Sequence, residues 1–403
     1  MTHLHYPLRS LREGRWFKLI CGASFQHLPA VRNLTLAYAL AGVDCVDVSA
    51  DPAVVSAAQD GLRVAQELIA EAQSRGFGAI ARPWLMVSLN DAEDPHFRKA
   101  TFDPQRCPAD CSRPCETICP AQAIIFERVP DRFSGVIDQR CYGCGRCLPV
   151  CPIQQITARS YVSTPAAIAP LVLQSGVDAL EIHTQVGHFA DFRRLWEAVA
   201  PWVSQLKLVA VSCPDGEGLI DYLRSLYEVM APLPCALVWQ TDGRPMSGDI
   251  GDGATRAAVK LGQKVLAAGL PGFVQLAGGT NRHTVVKLDQ QSLLNPQRAG
   301  GEAAAIGQYI SGVAYGSYAR SLLAPLLEEL DGSPAVLQME AIAQGAHRSE
   351  IPKLETGDRG GDRLENTPDL LWQAVAAAHA LVAPLKFGTQ AAPQKAPRPP
   401  APT

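Results

Sequence analysis

Apolar runs of strand length alternate with longer amphipathic runs along most of the chain. The strand-like runs lie at residues 16–23, 44–48, 84–89, 179–183, 206–211, 235–240, 272–276 and 310–315. The helix-like runs lie at residues 28–41, 53–74, 165–174, 189–203, 218–230, 255–268 and 319–330. Such alternation is typical of βα units that place parallel strands side by side. Eight strand-like runs predict a (β/α)8 barrel, with an open doubly wound sheet as the alternative.

A segment rich in cysteine and proline interrupts the alternation after the third predicted strand. We therefore predict four regions. They are the first part of the barrel at 1–98, an inserted ferredoxin-like module at 99–157, the remainder of the barrel at 158–388, and a disordered proline-rich tail at 389–403. Loops that follow barrel strands form the catalytic face of such folds, so the module is predicted to lie on that face.

The positions of the cysteines are the strongest indication of function in the sequence. The chain has 12 cysteines, and most of them fall between Cys107 and Cys151. We expect no export signal before them, so a metal site is favoured over disulfides. The four cysteines outside this block lie in apolar runs and are predicted to be buried, inert thiols: Cys21, Cys45, Cys213 and Cys235.

The second half of the cysteine block follows the pattern C-x2-C-x2-C-x3-C-P over residues 141–152, which is found in bacterial two-cluster ferredoxins. In those proteins the fourth cysteine binds the other cluster, so a companion run is expected. Residues 107–120 supply it and also close with Cys-Pro. Crossing the fourth ligands predicts one cluster on Cys107, Cys111, Cys115 and Cys151 and another on Cys119, Cys141, Cys144 and Cys147.

The first half of the block departs from the ferredoxin pattern, because three residues separate each pair of cysteines. This spacing leaves open a 4Fe-4S cluster, a 3Fe-4S cluster with one corner missing, or a cluster for which Cys107 or Cys111 is a spectator. A structural zinc site is a further alternative. It fits less well, since zinc ribbons pair two C-x2-C units across a loop.

Two glycine-containing turns follow the last two predicted strands. Gly278-Gly279 ends the seventh strand, and Gly316-Ser317 ends the eighth. Barrels often bind phosphate at these places through backbone N–H groups, so we predict a phosphate or FMN site, with turns that bind no ligand as the alternative. Other polar residues at predicted strand ends could line a pocket: Asp47, Ser49, His183, Gln185, Ser212, Asp215 and Arg282. No catalytic residue is assigned, because the sequence has no Ser-His-Asp, H-E-x-x-H or Walker pattern.

Composition limits the classes of partner. Hydrophobic residues make up 47% of the chain and charged residues 19%, as in folded globular proteins, and the net charge is −3. A balanced charge does not favour nucleic acid or an anionic membrane surface. We expect no membrane span and a cytoplasmic protein.

The paired cysteine runs and three other segments together resemble the cyanobacterial light-dependent period A family of circadian clock input proteins. Those segments are WFKLICGAS at 16–24, DALEIH at 178–183 and QLAGGTN at 275–281. The resemblance spans nearly the whole chain. It implies an iron-sulfur sensor that reports the state of electron transport and adjusts clock period to light, in association with clock oscillator and input-kinase proteins.

A second resemblance, through DALEI at 178–182 and the two glycine turns, is to flavin barrels of the dihydroorotate and dihydropyrimidine dehydrogenase kind. It implies FMN in the barrel and clusters that feed it electrons. Our leading hypothesis is a redox sensor, not an enzyme, whose clusters equilibrate with an electron carrier of photosynthetic electron transport. An oxidoreductase is the alternative, and a scaffold with purely structural clusters is the third hypothesis.

Overall fold

The computed structural model describes residues 6–22, 27–78, 81–91, 98–119, 122–128, 132–137, 140–141, 147–160, 165–243, 255–296, 305–331 and 363–388. Cys144 and the predicted tail at 389–403 lie outside these ranges.

The strands within these ranges are, in chain order, β1 (Trp16–Gly22), β2 (Cys45–Ser49), β3 (Trp84–Asn90), β4 (Arg98–Thr101), β5 (Ile124–Arg128), β6 (Phe133–Val136), β7 (Thr157–Ser160), β8 (Ala179–His183), β9 (Leu208–Pro214), β10 (Ala236–Asp242), β11 (Phe273–Ala277) and β12 (Gly312–Tyr315). The α-helices are α1 (Tyr6–Arg12), α2 (Leu28–Ala41), α3 (Pro52–Ser74), α4 (Pro114–Ile118), α5 (Cys147–Val150), α6 (Pro165–Leu173), α7 (Phe189–Val199), α8 (Leu219–Met230), α9 (Thr255–Ala267), α10 (Thr284–Gln290), α11 (Ser317–Asp331) and α12 (Pro368–Phe387).

Eight parallel strands close into a barrel in the order β1, β12, β11, β10, β9, β8, β3, β2. The ring closes where β1 pairs with both β12 and β2. Strand β3 pairs directly with β8, with Met86 opposite Ala179, so β4 to β7 form no part of the barrel wall. The predicted (β/α)8 barrel is therefore confirmed, and the open sheet is excluded.

Local chemistry explains how several of these elements begin and meet. The Asp51 carboxylate accepts a hydrogen bond from the Ala53 N–H at 2.8 Å and caps α3, which begins with Pro52. Gly312 lies where β12 meets β1, and a Cβ atom there would be 2.5 Å from the Trp16 carbonyl oxygen. Only glycine lets the two strands approach this closely.

The lower part of the barrel interior is apolar. Inward residues of the strands form one buried cluster there, closed from below by Leu11 of α1. Trp16 and Trp84 meet edge to face in this layer, with ring centroids 5.7 Å apart. A larger apolar layer lies between the barrel and the surrounding helices. The lower part of the barrel thus has a packed apolar core.

Five helices were not predicted from the sequence: α1, α4, α5, α10 and α12. Helix α12 is long and apolar enough to pass a composition test for a membrane span. It packs against α2 and α11, and more than half of its apolar stretch is buried. Its apolar character therefore has an explanation in the packing of the barrel, as for any core helix.

Candidate iron-sulfur site and barrel mouth

The cysteine block folds as a small unit between β3 and β8. Strands β4 and β7 pair antiparallel at its base, and β5 and β6 form a second two-stranded sheet. Short helices α4 and α5 contact each other. Each half of the unit therefore contributes one short helix, as the internal repeat in the sequence suggests.

The two helices hold their cysteines in the same way. Cys115 lies in α4 and Cys119 follows its last residue, while Cys147 begins α5 and Cys151 follows it. Cys115, Cys147 and Cys151 are buried in the apolar core of the module together with Cys141, and Cys119 packs against that core. The third and fourth cysteines of each run are thus structurally equivalent, even though the spacing before them differs.

Several of these sulfur atoms accept hydrogen bonds from N–H groups. The Ala123 N–H donates to Cys119 Sγ at 3.2 Å, and the Ala100 N–H donates to Cys141 Sγ at 3.4 Å. The side-chain amide of Gln155 donates to Cys107 Sγ at 2.9 Å. Donors of this kind stabilise negative charge on sulfur, as iron-sulfur ligands require.

The environment of Cys151 favours its thiolate form. Burial raises the pKa of this thiol, but backbone N–H groups of residues 153–156 donate toward its sulfur, and the pKa is lowered overall. A loop that turns successive N–H groups toward one sulfur is the arrangement that the spacing predicts for a cluster ligand.

The thiols of one predicted cluster are electrostatic neighbours. Burial raises the pKa of Cys107, and nearby Cys111 and Cys151 raise it further. Burial likewise raises the pKa of Cys115, with added contributions from Cys107 and Cys151. These neighbours, Cys107, Cys111, Cys115 and Cys151, are the predicted ligands of the first cluster, which takes its fourth ligand from the second run. The ligand assignment stays a prediction.

All the cysteines within the described ranges are free thiols. In the same part of the chain, no three potential ligands lie close enough to hold a single metal ion. A tetrahedral zinc site would require four ligands around one ion, whereas each ligand of a cubane binds a different iron atom.

A buried ion pair anchors the module to the barrel. Lys99 in β4 places its Nζ 3.2 Å from Oδ2 of Asp51, and both side chains are almost fully buried. Asp51 follows β2 and caps α3, so this contact lies at the C-terminal ends of the barrel strands. We call this end, with Ser49, Asn90, His183 and Asp242 at its strand ends, the barrel mouth.

A second group of polar side chains lies inside the barrel, above the apolar layer. Lys18 is fully buried, and its Nζ lies 3.1 Å from Asp47 Oδ2, 3.3 Å from Met86 Sδ, and in a very short contact with Glu181. His183 Nε2 lies 3.0 Å from the other oxygen of Glu181. We call Lys18, Asp47, Glu181 and His183 the central network.

Neutral side chains complete the hydrogen bonds of the central network. Ser88 donates to Asp47 at 2.6 Å, and Gln240 donates to Glu181 at 2.6 Å and to Ser212 at 3.1 Å. Gln275 donates to Gln240 and accepts from the indole N–H of Trp16. Charged groups can remain in a barrel core only when they are paired and bonded in this way.

The pKa values in the central network move in different directions. Burial alone would lower the pKa of Lys18, but Asp47 and Glu181 raise it above its ordinary value. Burial raises the pKa of Asp47 despite the attraction of Lys18. For Glu181, burial would raise the pKa, but Lys18 and His183 lower it overall.

Burial would also lower the pKa of His183, and here Glu181 and Asp47 raise it instead. The two carboxylates therefore favour protonation of His183. With His183 protonated, two cations face two carboxylates, and the charges of the central network sum to zero.

The structure brings together some of the polar residues predicted at strand ends and separates others. Asp47, Ser49, His183 and Ser212 face the barrel interior. Gln185 bonds to His188 at the surface, Asp215 pairs with Lys264 at the surface, and Arg282 donates to the neighbouring His283. These three take no part in the central network.

Sequence reasoning missed Lys18 and Glu181. Each is a single charged residue within an apolar strand. Lys18 lies in the middle of Trp16–Gly22, and Glu181 lies in the middle of Ala179–His183. A charge within a buried strand needs a partner of opposite sign, so such a residue was a signal for the interior pair.

The two glycine turns differ in their surroundings. A Cβ at Gly278 would fall 1.8 Å from a carboxylate oxygen of Asp242, so a negative charge already lies against this turn. Near Gly316, Arg320 donates to Ser317 Oγ at 3.2 Å and to the carbonyl oxygens at the end of β1. The carboxylate weighs against an anion at Gly278-Gly279, and the phosphate or FMN site stays a prediction.

The four cysteines outside the module are free and lie in or beside the barrel wall. Burial raises the pKa of Cys21 to about 12, of Cys213 to about 12 and of Cys235 to about 11, and raises that of Cys45 well above its ordinary value. Thiols with such pKa values are poor nucleophiles and metal ligands. Cys21, Cys45 and Cys213 are buried as predicted, whereas Cys235 is only partly buried.

An α/β barrel that carries a module of this composition on its C-terminal face belongs to the iron-sulfur proteins. A family profile described as the LdpA Fe-S cluster-binding domain matches residues 107–162. A second profile, the light dependent period A C-terminal domain, matches residues 171–384. A curated relative from Synechococcus elongatus, named "Light dependent period A", is 47% identical over 381 residues, which cover 94% of this chain and 94% of the relative. The chain therefore belongs to the light-dependent period A family, as the sequence resemblance indicated.

Among solved structures, a tryptophan synthase from M. tuberculosis, in an open form with BRD0059 bound, aligns over 95% of this chain and 96% of that chain. The identity is 12% and the TM-score is 0.37. A similarity this low carries no argument, so the barrel assignment rests on the strand pairing described above.

Proposed function

We propose that this protein is a cytoplasmic redox sensor that binds two 4Fe-4S clusters and adjusts circadian period to light. The first cluster has Cys107, Cys111, Cys115 and Cys151 as ligands, with a 3Fe-4S cluster as the variant form. The second has Cys119, Cys141, Cys144 and Cys147.

The observation that carries this proposal is the hydrogen bonding of the cysteine sulfurs. Cys119, Cys141 and Cys151 receive backbone N–H groups, and Cys107 receives an amide donor, within one small buried core. Such donors stabilise thiolates and the negative charge of a reduced cluster. Cys213 and Cys235 in the barrel also accept a backbone N–H group, so the distinguishing feature of the module is that several such sulfurs share one small core.

The sensing step follows from charge. Reduction adds one electron to a cluster, and the module is held on the barrel mouth by the buried Lys99–Asp51 pair. A change in cluster charge or integrity would alter the surface that the module presents to partners. We infer that those partners are clock oscillator and input-kinase proteins, and that the electrons come from a carrier of photosynthetic electron transport.

The test begins with the protein purified under anaerobic conditions. Two four-iron clusters predict about eight iron and eight sulfide per chain, and about seven iron if the first cluster has three. We expect an EPR signal after reduction with dithionite. Cys147→Ser should lose the iron of one cluster, whereas Cys235→Ser, a barrel cysteine, should keep the full content. Iron without sulfide, or equal iron in both variants, would contradict the proposal.

The sensing role needs a separate test in cells. A cyanobacterial strain carrying Cys147→Ser should lose the dependence of clock period on light intensity, and a strain carrying Cys235→Ser should keep it. An unchanged response in the first strain would leave an iron-sulfur protein with no sensing role.

An iron-sulfur oxidoreductase is the second candidate function, favoured by the central network inside the barrel. In this case the barrel holds FMN or a phosphorylated compound at Gly278, Gly279, Gly316 and Ser317, and the clusters relay electrons to it. Release of a yellow flavin on denaturation would support this function. Iron-sulfur absorption with no flavin released would count against FMN.

A further inference from the structure

Strand β4 lies between the barrel and the core of the module. Consecutive side chains of a strand point to opposite faces. Lys99 reaches the barrel, where it pairs with Asp51, whereas the Ala100 side chain is buried in the module core together with Cys141. Because β4 has only four residues, a displacement of the face that contacts the barrel also displaces the face that contacts the module.

The edge of β4 supplies a hydrogen bond to a predicted cluster ligand. In the described part of the chain β4 pairs with β7 alone, and the Ala100 N–H donates to Cys141 Sγ at 3.4 Å. Cys141 is itself held by the module, since its backbone N–H donates to the Ile137 carbonyl oxygen at 3.0 Å. The distance from the Ala100 N–H to the sulfur therefore depends on the position of β4. Such a bond stabilises the added negative charge of a reduced cluster.

The Lys99–Asp51 pair fixes the position of β4 on the barrel. The two side chains are 6% and 3% exposed, and Nζ lies 3.2 Å from Oδ2. The other carboxylate oxygen of Asp51 accepts the Ala53 N–H and caps α3, so the carboxylate cannot turn away without losing that bond. Removing one partner of a buried ion pair is costly, because the other charge is left unpaired. The pair therefore favours a single position of the strand.

We propose that the Lys99–Asp51 pair is a positioning element for the second cluster. It holds the Ala100 N–H against Cys141 Sγ and thereby sets the reduction potential of that cluster from the barrel. This inference rests on the proposed function, because it requires the second cluster to be present. It adds a role for the barrel in tuning the sensor, since a displacement at the end of β2 reaches Cys141 through one ion pair, one short strand and one hydrogen bond.

Two variants separate the position of β4 from the effect of charge. Lys99→Met alone is ambiguous, because the loss of a cation lowers a nearby potential through space. The double variant Lys99→Met with Asp51→Asn removes one charge of each sign, so the net charge is kept while the pair is lost. Asp51→Glu keeps both charges and displaces the carboxylate by one methylene group. A positioning role predicts a more negative potential in both variants, whereas a role of net charge predicts no shift in either.

The experiment is an anaerobic redox titration of the full chain, followed by EPR. Cys147→Ser, which should retain only the first cluster, assigns the two midpoint potentials. We expect the reduction equilibrium of the second cluster to fall at least about threefold in the double variant, about 30 mV for one electron, and by less in Asp51→Glu. The first cluster should titrate as in the wild type. Lys386→Met with Asp44→Asn is the matched control: it removes a buried ion pair at the other end of the barrel and should shift neither potential.

Two results would overturn the inference: an unchanged potential of the second cluster in both variants, or an equal shift of the first cluster. Loss of the iron of the second cluster alone from the double variant would support a positioning role as well. Should the double variant fail to fold, Asp51→Glu decides the matter alone. A wild-type protein without iron and sulfide would instead refute the proposed function itself.

Discussion

Replacing Lys18 with methionine tests whether balanced charge holds the barrel core together. The Lys18 ammonium is fully buried, bonds Glu181 and lies 3.1 Å from Asp47. With His183 protonated, the central network sums to zero, and without Lys18 one negative charge is left uncompensated. Breaking a buried pair by removing one partner costs about 3–5 kcal/mol. We therefore expect Lys18→Met to lower the free energy of unfolding by about 4 kcal/mol.

The assay is equilibrium unfolding in urea under anaerobic conditions, followed by circular dichroism. The double variant Lys18→Met with Asp47→Asn leaves Glu181 opposite His183, and its charges again sum to zero. We expect it to recover about half of the lost stability or more, although the two changes are in contact and need not add. Lys264→Met is the control, since Lys264 forms an exposed pair with Asp215 at 2.6 Å and should cost less than about 1 kcal/mol.

The pH dependence of Lys18→Met adds a second check. Uncompensated carboxylates can take up protons, so the loss of stability should be largest near neutral pH and shrink as the pH falls toward about 5. Two results would refute the reasoning: Lys18→Met within about 1 kcal/mol of wild type at pH 7, or a double variant less stable than the single one.

Three further predictions concern barrel closure, the cysteine module and the pH dependence of the barrel. Gly312→Ala places a Cβ 2.5 Å from the Trp16 carbonyl oxygen and should cost about 2 kcal/mol in urea unfolding, whereas Gly316→Ala, with its nearest neighbour at 3.7 Å, should cost less. Gln155→Ala removes the donor to Cys107 Sγ and should make the midpoint potential of the first cluster more negative in a redox titration, because that donor stabilises the reduced charge. The pKa of His183 is raised from 6.5, since Glu181 outweighs burial, so its protonated form contributes stability below that value that is lost as the pH rises through the folded-state pKa. The difference in unfolding free energy between wild type and His183→Gln should therefore shrink as the pH rises above the ordinary histidine pKa of about 6.5.

Each of these predictions has an outcome that contradicts it. Equal stability of Gly312→Ala and Gly316→Ala would mean that β1 and β12 can move apart to accommodate the added methyl group at no cost. Gln154 is an exposed neighbour of Gln155. If Gln154→Asn shifts the midpoint potential of the first cluster as much as Gln155→Ala does, the Gln155 donor does not set that potential. A stability difference for His183→Gln that does not change with pH would mean that His183 is not protonated in the folded protein.

The fold could largely be predicted from the sequence, because the patterns that indicate strands and helices involve residues close together in the chain. An apolar run with a turn at each end predicts a strand wherever it packs, and the eight predicted barrel strands were all found. Helix α10 was missed because only seven residues, Thr284–Gln290, form it. Helix α12 was missed because it is apolar on most of its surface and shows little amphipathic pattern.

The cysteine module was also predicted from spacing, since three ligands of each cluster come from one short run of cysteines that ends in Cys-Pro. The N–H groups that donate hydrogen bonds to its sulfur atoms were not predicted. Ala100 precedes Cys141 by 41 residues, and Gln155 follows Cys107 by 48, so no local pattern connects them. Only the pairing of β4 with β7 and the fold of the two repeats bring them together.

The sequence by itself determined that this chain forms a parallel barrel and carries an iron-sulfur module, because periodicity and ligand spacing are properties of neighbouring residues. Only the tertiary structure decided that Lys18 meets Glu181, 163 residues away, and that His183 and Ser49 turn toward the same mouth. The physical reason is closure of the barrel. It places inward side chains of distant strands within bonding distance, in a core where every charge must find its partner.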